Sequence, residues 1–427
     1  MKYAVTTLGC KVNQFETQAM ETMLRARGHA ATEDGDADVV IVNTCAVTAE
    51  SGRKSRQAVR RMLAENPDAI AAVCGCYSQL SPEDAASLGA AVVFGSGDRS
   101  AFIDAVERAV ASRLPVRHVD DPFRRMEYEP LPAGALEGRT RAYLKIEDGC
   151  DNFCSYCIIP YARGRVRSMP TDQIRSEAAR LQREGFRELI LTGIEISSYG
   201  KDLRDGSRLA DAVCAAAEAA PEARVRIGSL EPTIVTEAFC RRLQEAGNVC
   251  RHFHLSLQSG CDRTLLAMRR KYDTARFAES TRLLRAFFPG CALTADLITG
   301  FPGETEEDFS KTLSFIRQIG FAVMHVFPYS VRPGTRAAEL PEQLTHAVKN
   351  ARAAVAQAAA LEMQTAYLDA QIGKVLPVLF ETQENGVWQG HSDNYCEVRA
   401  AGENLRGIIQ NVQITRRESR KLVGIIV

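Results

Sequence analysis

Three cysteines crowd into eight residues at Cys150-Asp-Asn-Phe-Cys154-Ser-Tyr-Cys157. Cysteine thiolates are the usual ligands of a [4Fe–4S] cube, which takes four. Three from one loop hold three irons and leave the fourth open to a small chelating molecule. Structural zinc instead asks for a closed set of four nitrogen or sulfur ligands, commonly from paired C-x2-C knuckles. This stretch has one compact triplet, no paired knuckle and no nearby histidine. It is also dense for an apolar core, so a cluster is the expected occupant.

A second trio is scattered. Cys10, Cys45 and Cys76 each fall just past an expected strand, at Tyr3–Leu8, Val39–Val42 and Ile70–Val73. In an open α/β sheet, sites form outside the carboxyl ends of the strands, so the three thiols are expected to converge. Three unrelated half-buried cysteines are the plain alternative. Cys74 competes for the third place, but it stands nearer the strand interior, and Cys76 is the expected member.

Such sites need scaffolds. Over 1–119, strands alternate with helices at Gln14–Arg27, at the basic stretch Ser51–Glu65 and at Arg99–Ala111, which argues an open parallel α/β domain. Residues 120–138 carry Pro and Gly breakers with mixed charge and read as a linker. Over 139–371, six strand–helix units follow, with strands near 142–146, 188–191, 225–228, 254–257, 293–298 and 323–326. Six is fewer than the eight of a closed barrel, so a partial (βα)6 barrel is expected, with its chemistry at the strand ends. The Cys150 loop follows the first of those strands, and an Ala-rich helix at His346–Ile372 trails the last. Residues 372–427 switch to short apolar alternations between Gly turns, the pattern of a small β-barrel. The fold class is α/β.

The chain has 427 residues and no formal net charge, so whole-molecule attraction to nucleic acid is not implied and any RNA contact must be local. Arg163, Arg165 and Arg167 follow the cysteine loop. Their forked donors suit RNA phosphate or a cofactor carboxylate, with a solvated turn as the alternative. Tyr143, Phe153, Tyr156 and Tyr161 flank the loop, where they shield a cube, stack on a base or simply pack. In the tail, Arg416, Arg417, Arg420 and Lys421 form a basic cluster. Trp388 and Tyr395 offer stacking faces there, unless this is an unliganded hairpin. Thirteen cysteines without a signal peptide point to a reducing, cytoplasmic setting. No stretch approaches the roughly 20 apolar residues of a membrane helix.

The C-x3-C-x2-C spacing resembles that of the radical S-adenosylmethionine enzymes. The segments Gly9-Cys10-Lys11-Val12-Asn13, Gly75-Cys76-Tyr77-Ser78-Gln79 and Gly390-His391-Ser392-Asp393-Asn394-Tyr395 add to it. With them, the chain resembles the methylthiotransferase family from end to end, and within it the branch acting on threonylcarbamoyl-adenosine in tRNA. The resemblance implies two [4Fe–4S] clusters and S-adenosyl-L-methionine. One cluster would sit on Cys150, Cys154 and Cys157, the catalytic loop, where one electron cleaves the cofactor to a 5′-deoxyadenosyl radical. The other, on Cys10, Cys45 and Cys76, would carry the sulfur to be transferred. Cys74 is an extra thiol beside that pattern.

Cofactor contacts are then expected at the other strand ends. Glu195 ends Thr192-Gly193-Ile194-Glu195, where the superfamily often has Gly-Gly-Glu. Ser229, Glu231 and Gln258 follow the next strands. Gly300 and Gly303 flank Phe301-Pro302, where glycines permit close backbone approach. The tail resembles the TRAM module, an RNA-binding barrel. The implied reaction replaces hydrogen with a methylthio group at C2 of residue 37, an unactivated aromatic carbon that suits radical chemistry. Its partners would be the tRNA anticodon loop and an electron-donating redox protein. The family also acts on isopentenyl-adenosine and on a ribosomal-protein aspartate. A non-catalytic iron–sulfur or zinc RNA-binding protein is the rival of another class.

Overall fold

The computed structural model describes residues 1–33, 35–132 and 140–427. The chain begins with a six-stranded parallel sheet in the order β2-β1-β3-β4-β5-β6. Its strands are β1 Lys2–Thr7, β2 Ala30–Ala31, β3 Val39–Thr44, β4 Ile70–Gly75, β5 Ala90–Phe94 and β6 Val116–His118. The helices between them are α1 Lys11–Ala26, α2 Ala49–Glu65, α3 Cys76–Leu80, α4 Pro82–Ser87 and α5 Arg99–Ser112. Every residue of β3 is buried, as a central strand covered on both faces requires. Helix α1 begins three residues ahead of the expected Gln14, because the Cys10 carbonyl already accepts the Gln14 N–H at 3.1 Å. Cys10 therefore sits at the mouth of that helix.

The expected linker is described as far as Pro132, and the rest of it lies outside the described residues. Its first part is anchored: Arg125 donates to Asp120, to Ser96 at 2.8 Å and to Gln79 at 2.8 Å.

Next comes a curved wall of parallel strands. One part has the order β11-β10-β7, from β7 Arg141–Lys145, β10 Glu188–Thr192 and β11 Arg224–Ile227. The other has the order β12-β13-β14-β15, from β12 Ser229–Leu230, β13 His252–Gln258, β14 Ala292–Thr299 and β15 Val323–Pro328. β11 runs on into β12 through Gly228, and a Val225–Val249 bridge spans the break. Among the described residues β7 and β15 do not pair, so the wall is an open six-position barrel, as expected. A short antiparallel pair, β8 Glu147–Asp148 and β9 Arg167–Ser168, braces the Cys150 loop from either side.

The outer helices are α6 Ile159–Arg163, α7 Thr171–Arg183, α8 Leu209–Ala219, α9 Glu237–Glu245, α10 Asp262–Ala267, α11 Thr274–Phe287 and α12 Glu306–Ile319, then the long α13 His346–Asp369. Phe15 and Ala19 of α1 share one core with Leu144 and Leu191 of the wall, so the first sheet and the barrel are packed together.

The tail is a closed barrel in the order β16-β17-β18-β20-β19. It comprises β16 Val375–Glu384, β17 Val387–Ser392, β18 Glu397–Ala401, β19 Ile409–Glu418 and β20 Lys421–Ile426. It docks through arginines of the wall. Arg224 donates to the His391 carbonyl at 2.8 Å, Arg226 to that of Asp393 at 3.0 Å, and Arg251 to the Asp393 carboxylate at 2.6 Å. No helix among the described residues is long and apolar enough to cross a membrane.

Candidate active site between two cysteine triads

β1, β3 and β4 are neighbours, so their carboxyl ends bring Cys10, Cys45 and Cys76 to one corner of the first sheet. Asn13 ties that corner. Its Nδ2 donates to the carbonyls of Leu8 at 2.8 Å and Thr44 at 2.9 Å, and the Cys10 thiol lies 3.7 Å from its Oδ1. A Cβ added at Gly9 would stand 2.8 Å from Cys45 Sγ. Cys45 and Cys76 are buried, whereas Cys10 is exposed. Cys74 goes elsewhere, as the strand position implied. It packs with Phe94 and Phe102 on the opposite face of the sheet, and burial pushes its thiol up to about 11.

The Cys150 loop faces this corner. α6 packs on α3, and Arg163 at its end reaches across. Its Nε donates to Cys76 Sγ at 3.2 Å, and its Nη2 to Asn13 Oδ1 at 2.9 Å and to Glu16 at 3.2 Å. Arg163 is fully buried, so its expected contact with RNA or a cofactor carboxylate is corrected: the guanidinium is spent on Glu16 and Cys76. Arg167 is corrected likewise. It is buried, donates to the carbonyls of Arg163 and Arg165, and pairs with Asp148 at 3.5 Å. Of the three arginines, Arg165 is exposed.

Inside the loop, the Cys157 N–H donates to the Cys154 carbonyl at 3.0 Å, and the Cys150 N–H to that of Gly164 at 3.0 Å. Gly149 has φ +89°, and a Cβ there would collide with the Arg165 carbonyl, so glycine lets the loop fold back. Burial pushes the Cys157 thiol up to about 12 and raises Cys150 as well. Metal binding must displace those protons.

Two carboxylates expected to contact the cofactor stand against this loop. Asn152 Nδ2 donates to Glu195 and to Glu231, each at 3.3 Å, while its Oδ1 accepts from Lys271 at 2.7 Å. Burial raises the Glu231 carboxyl, opposed by the Arg270 guanidinium. Arg270 itself donates to Cys154 Sγ at 3.1 Å. Sequence reasoning passed over Arg270, because it lies 116 residues from Cys154 with no motif around it. Gln258, at φ +64°, lines a cavity beside Cys157, and Ser229 is exposed at its strand end. Gly300 and Gly303 lie against other parts of the chain. A Cβ at Gly300 would lie 2.5 Å from Lys349 Cγ, and the Gly303 N–H donates to the Glu342 carbonyl at 3.1 Å. These glycines admit α13 and the chain before it.

A cavity of about 400 Å³ runs along β15, lined by His325, Phe327, Gln364 and Arg420. A second, of about 230 Å³, opens beside Cys157. It is lined by Val47 and Thr48, just after Cys45, by Cys157 and Ile158, and by Gln258 and Asp296. Among the described residues, no three His, Cys, Asp or Glu side chains converge on a single ion position. A cube takes each thiolate on a separate iron and asks for a triangle instead, and soft thiol donors suit it. Arg332 was also missed. Its Nε is buried without a partner, and it feels the charges of Cys45 and Arg56.

The tail differs from expectation. Arg416 pairs with Glu418 at 2.6 Å, Arg417 with Asp369 at 2.6 Å, and Lys421 with Glu397, so three of its four cations are offset. Arg420 is exposed on the larger cavity. Trp388 lies in the barrel core with its Nε1 donating to the Gly402 carbonyl at 3.1 Å, so it offers no stacking face. Tyr395 fills the joint between barrel and wall, 4.5 Å from the Arg226 guanidinium and 5.0 Å from the His391 ring. Beside the cysteine loop, Phe153 meets Tyr161 edge-on at 5.6 Å.

The model of the Radical SAM superfamily matches residues 144–316, and that of the uncharacterized protein family UPF0004 matches residues 2–95. The chain is 37% identical to the threonylcarbamoyladenosine tRNA methylthiotransferase MtaB of Bacillus subtilis, over 97% of this chain and 93% of that one. It is 33% identical to a tRNA-2-methylthio-N(6)-dimethylallyladenosine synthase of Syntrophomonas wolfei, over 99% of this chain and 97% of that one. Among solved structures, the radical S-adenosylmethionine methyltransferase TsrM from Kitasatospora setae aligns with a TM-score of 0.57 at 15% identity. The alignment covers 79% of this chain and 77% of that one, a likeness of fold.

Proposed function

We propose, since this chain belongs to the tRNA methylthiotransferase family of radical S-adenosylmethionine enzymes, that it replaces the C2 hydrogen of N6-threonylcarbamoyladenosine at position 37 of tRNA with a methylthio group. The observation that carries the reading is that the Cys150 loop packs against the corner where Cys10, Cys45 and Cys76 meet, through Arg163 on Cys76, with one cavity lined both by Cys157 and by the residues after Cys45. Two [4Fe–4S] clusters and S-adenosyl-L-methionine supply one-electron cleavage to a carbon radical and a sulfur for methylation and insertion.

The chain's own residues hold and orient these groups. Cys150, Cys154 and Cys157 hold the radical-generating cluster, and Cys10, Cys45 and Cys76 the sulfur-carrying one. Glu195 and Glu231, fixed side by side by Asn152, receive the cofactor's ammonium. Arg270 donates to the cluster edge at Cys154. Val47 and Ile158 keep water from the space where the base lies, between Gln258 and Asp296. The anticodon loop is single-stranded, so presenting one base costs less than extracting it from a duplex. Arg56, Arg165, Arg332 and Arg420 meet its phosphates. Residues 1–119 serve as the sulfur-carrying domain, 139–371 as the radical domain and 372–427 as the RNA module. A redox protein delivers the electron, and the work is done in the cytoplasm, where tRNA is.

Mass spectrometry of tRNA nucleosides from a deletion strain tests this. Loss of the methylthio group from threonylcarbamoyladenosine is the expected result. Loss from dimethylallyladenosine instead would support the second reading, which the 33% identical relative favours. Retention of both would overturn the assignment.

A further inference from the structure

We infer that Asp296 reads the substrate base: its carboxylate accepts the N6–H of the adenine. This deepens the tRNA methylthiotransferase reading above and rests on it. Side chains alternate along β14, so Thr294, Asp296 and Ile298 point to one side. Register sets His254 of β13 opposite Thr294. Thr294 Oγ1 meets His254 Nδ1 at 3.0 Å and His252 Nε2 at 3.2 Å, and His254 Nε2 stands 3.3 Å from Asp296 Oδ2. A hydroxyl carries one proton, so Thr294 donates to one ring and accepts from the other. With the Nε2–H of His254 turned to the carboxylate, its Nδ1 is the acceptor and Thr294 donates there. The strand neighbours thus fix Asp296 from behind and occupy one of its two oxygens. Oδ1 has no hydrogen-bond or ion-pair partner among the described residues.

Asp296 lines the cavity that Cys157 also lines, among the apolar side chains of Val47, Ile158, Ile298 and Phe327. The rim is tied where the Ala49 N–H donates to Ser330 Oγ at 3.0 Å. A bulge after Leu255 and a left-handed φ of +64° turn Gln258 into the same space. An apolar cavity with a few placed polar groups is what orients a small flat ligand. A carboxylate only accepts, so Asp296 selects an edge that offers an N–H. Adenine keeps one N–H at N6 whatever single arm it carries there. Guanine has a carbonyl oxygen in that place and would set acceptor against acceptor. The Gln258 amide both donates and accepts, so it does not discriminate by itself. The cavity therefore suits an adenine with a single substituent on N6.

The test uses three anticodon stem-loop RNAs that differ only at nucleotide 37. One carries threonylcarbamoyladenosine, one its N6-methyl derivative, which has no N6–H, and one dimethylallyladenosine. Affinity is measured with the cluster-loaded protein without reductant, and methylthiolation afterwards. The wild type should bind the threonylcarbamoyl RNA about tenfold tighter than its N6-methyl derivative. Asp296→Asn must spend its one oxygen on either His254 or the base, so it should erase that ratio. It should do so by weakening the threonylcarbamoyl RNA and leaving the N6-methyl RNA within about twofold, at wild-type iron content. Equal weakening of both RNAs would mean a structural role and overturn the inference. So would an Asp296→Asn protein that binds S-adenosylmethionine more weakly in the absence of RNA, which would place Asp296 on the cofactor. A wild type that binds the first two RNAs equally would overturn it without any variant, and methylthiolation of the threonylcarbamoyl RNA would then leave the reading above standing. A wild type that methylthiolates neither the threonylcarbamoyl nor the dimethylallyl RNA would remove that reading, and this inference with it.

Discussion

Arg163 Nε donates to Cys76 Sγ at 3.2 Å, and this one contact joins the helix after the radical loop to the other cysteine triad. The same guanidinium holds Glu16, itself shared with Arg99 and Lys145 at 3.5 Å each. The group is both a strut between two parts of the fold and an N–H donor to the Cys76 sulfur. Hydrogen bonds to cluster sulfurs raise the reduction potential, because they stabilise the more negative reduced state.

Arg163→Met should therefore have two effects. The potential of the cluster on Cys10, Cys45 and Cys76 should move negative in a redox titration followed by electron paramagnetic resonance, while the other cluster stays put. Unfolding stability should fall by about 3 kcal/mol, as Glu16 loses its closest cation in a buried site. Arg165→Met, on the exposed neighbour, should stay within about 0.5 kcal/mol of wild type. An unchanged potential in Arg163→Met would show that the Cys76 contact has no electronic role.

The two adjacent thiols in Cys74-Gly75-Cys76 should separate cleanly. Iron analysis of the wild type should give about eight irons. Cys76→Ala should lower that count toward four and stop sulfur insertion while cleavage of S-adenosylmethionine continues. Cys74→Ala deletes one buried sulfur on the far face of the sheet, at a cost of about 1 kcal/mol, and should keep its iron. The reverse pattern would make Cys74 the ligand.

What could be read from the chain alone follows from how local each feature is. The Cys150 loop is legible because its three cysteines lie within eight residues. Cys10, Cys45 and Cys76 are legible because parallel topology brings adjacent strand ends together. Arg163 was misread as a surface contact because nothing near it in sequence reveals Glu16, 147 residues away. Trp388 misled for a related reason. Its place in the barrel core is set by strand register, and an isolated tryptophan does not disclose register. Gly300 marked a close approach, and it is made by Lys349 of α13.

Arg270 offers a test of the radical-generating side. Its Nη1 lies 3.1 Å from Cys154 Sγ, and its charge reaches Glu231 and Tyr272. Arg270→Gln should leave the iron count unchanged, shift the Cys150-loop cluster to a more negative potential and slow 5′-deoxyadenosine formation about tenfold or more. Cys154→Ala should abolish that product and leave the other cluster intact. Wild-type product formation in Cys154→Ala would refute the assignment of that loop.

The joint between wall and tail should be the acid-sensitive part of the molecule. Burial alone would push the Glu188 carboxyl up, but the Arg226 and Arg224 guanidiniums overcome it and hold it well below the usual carboxylate range. An unfolded glutamate titrates near about 4.3. A carboxyl depressed on folding contributes stability that is fully present above that value and is lost as pH falls below it toward the folded pKa. Unfolding followed from pH 7 down to about pH 3 should therefore show an acid limb starting near pH 4 to 5. Glu188→Gln should flatten that limb, and at neutral pH it should cost about 3–5 kcal/mol, because two buried guanidiniums lose their shared anion. Those guanidiniums donate to the carbonyls of His391 and Asp393, so the variant should also weaken tRNA binding by loosening the tail's seat on the wall. An acid limb identical in the variant and the wild type would mean that Glu188 does not govern the joint.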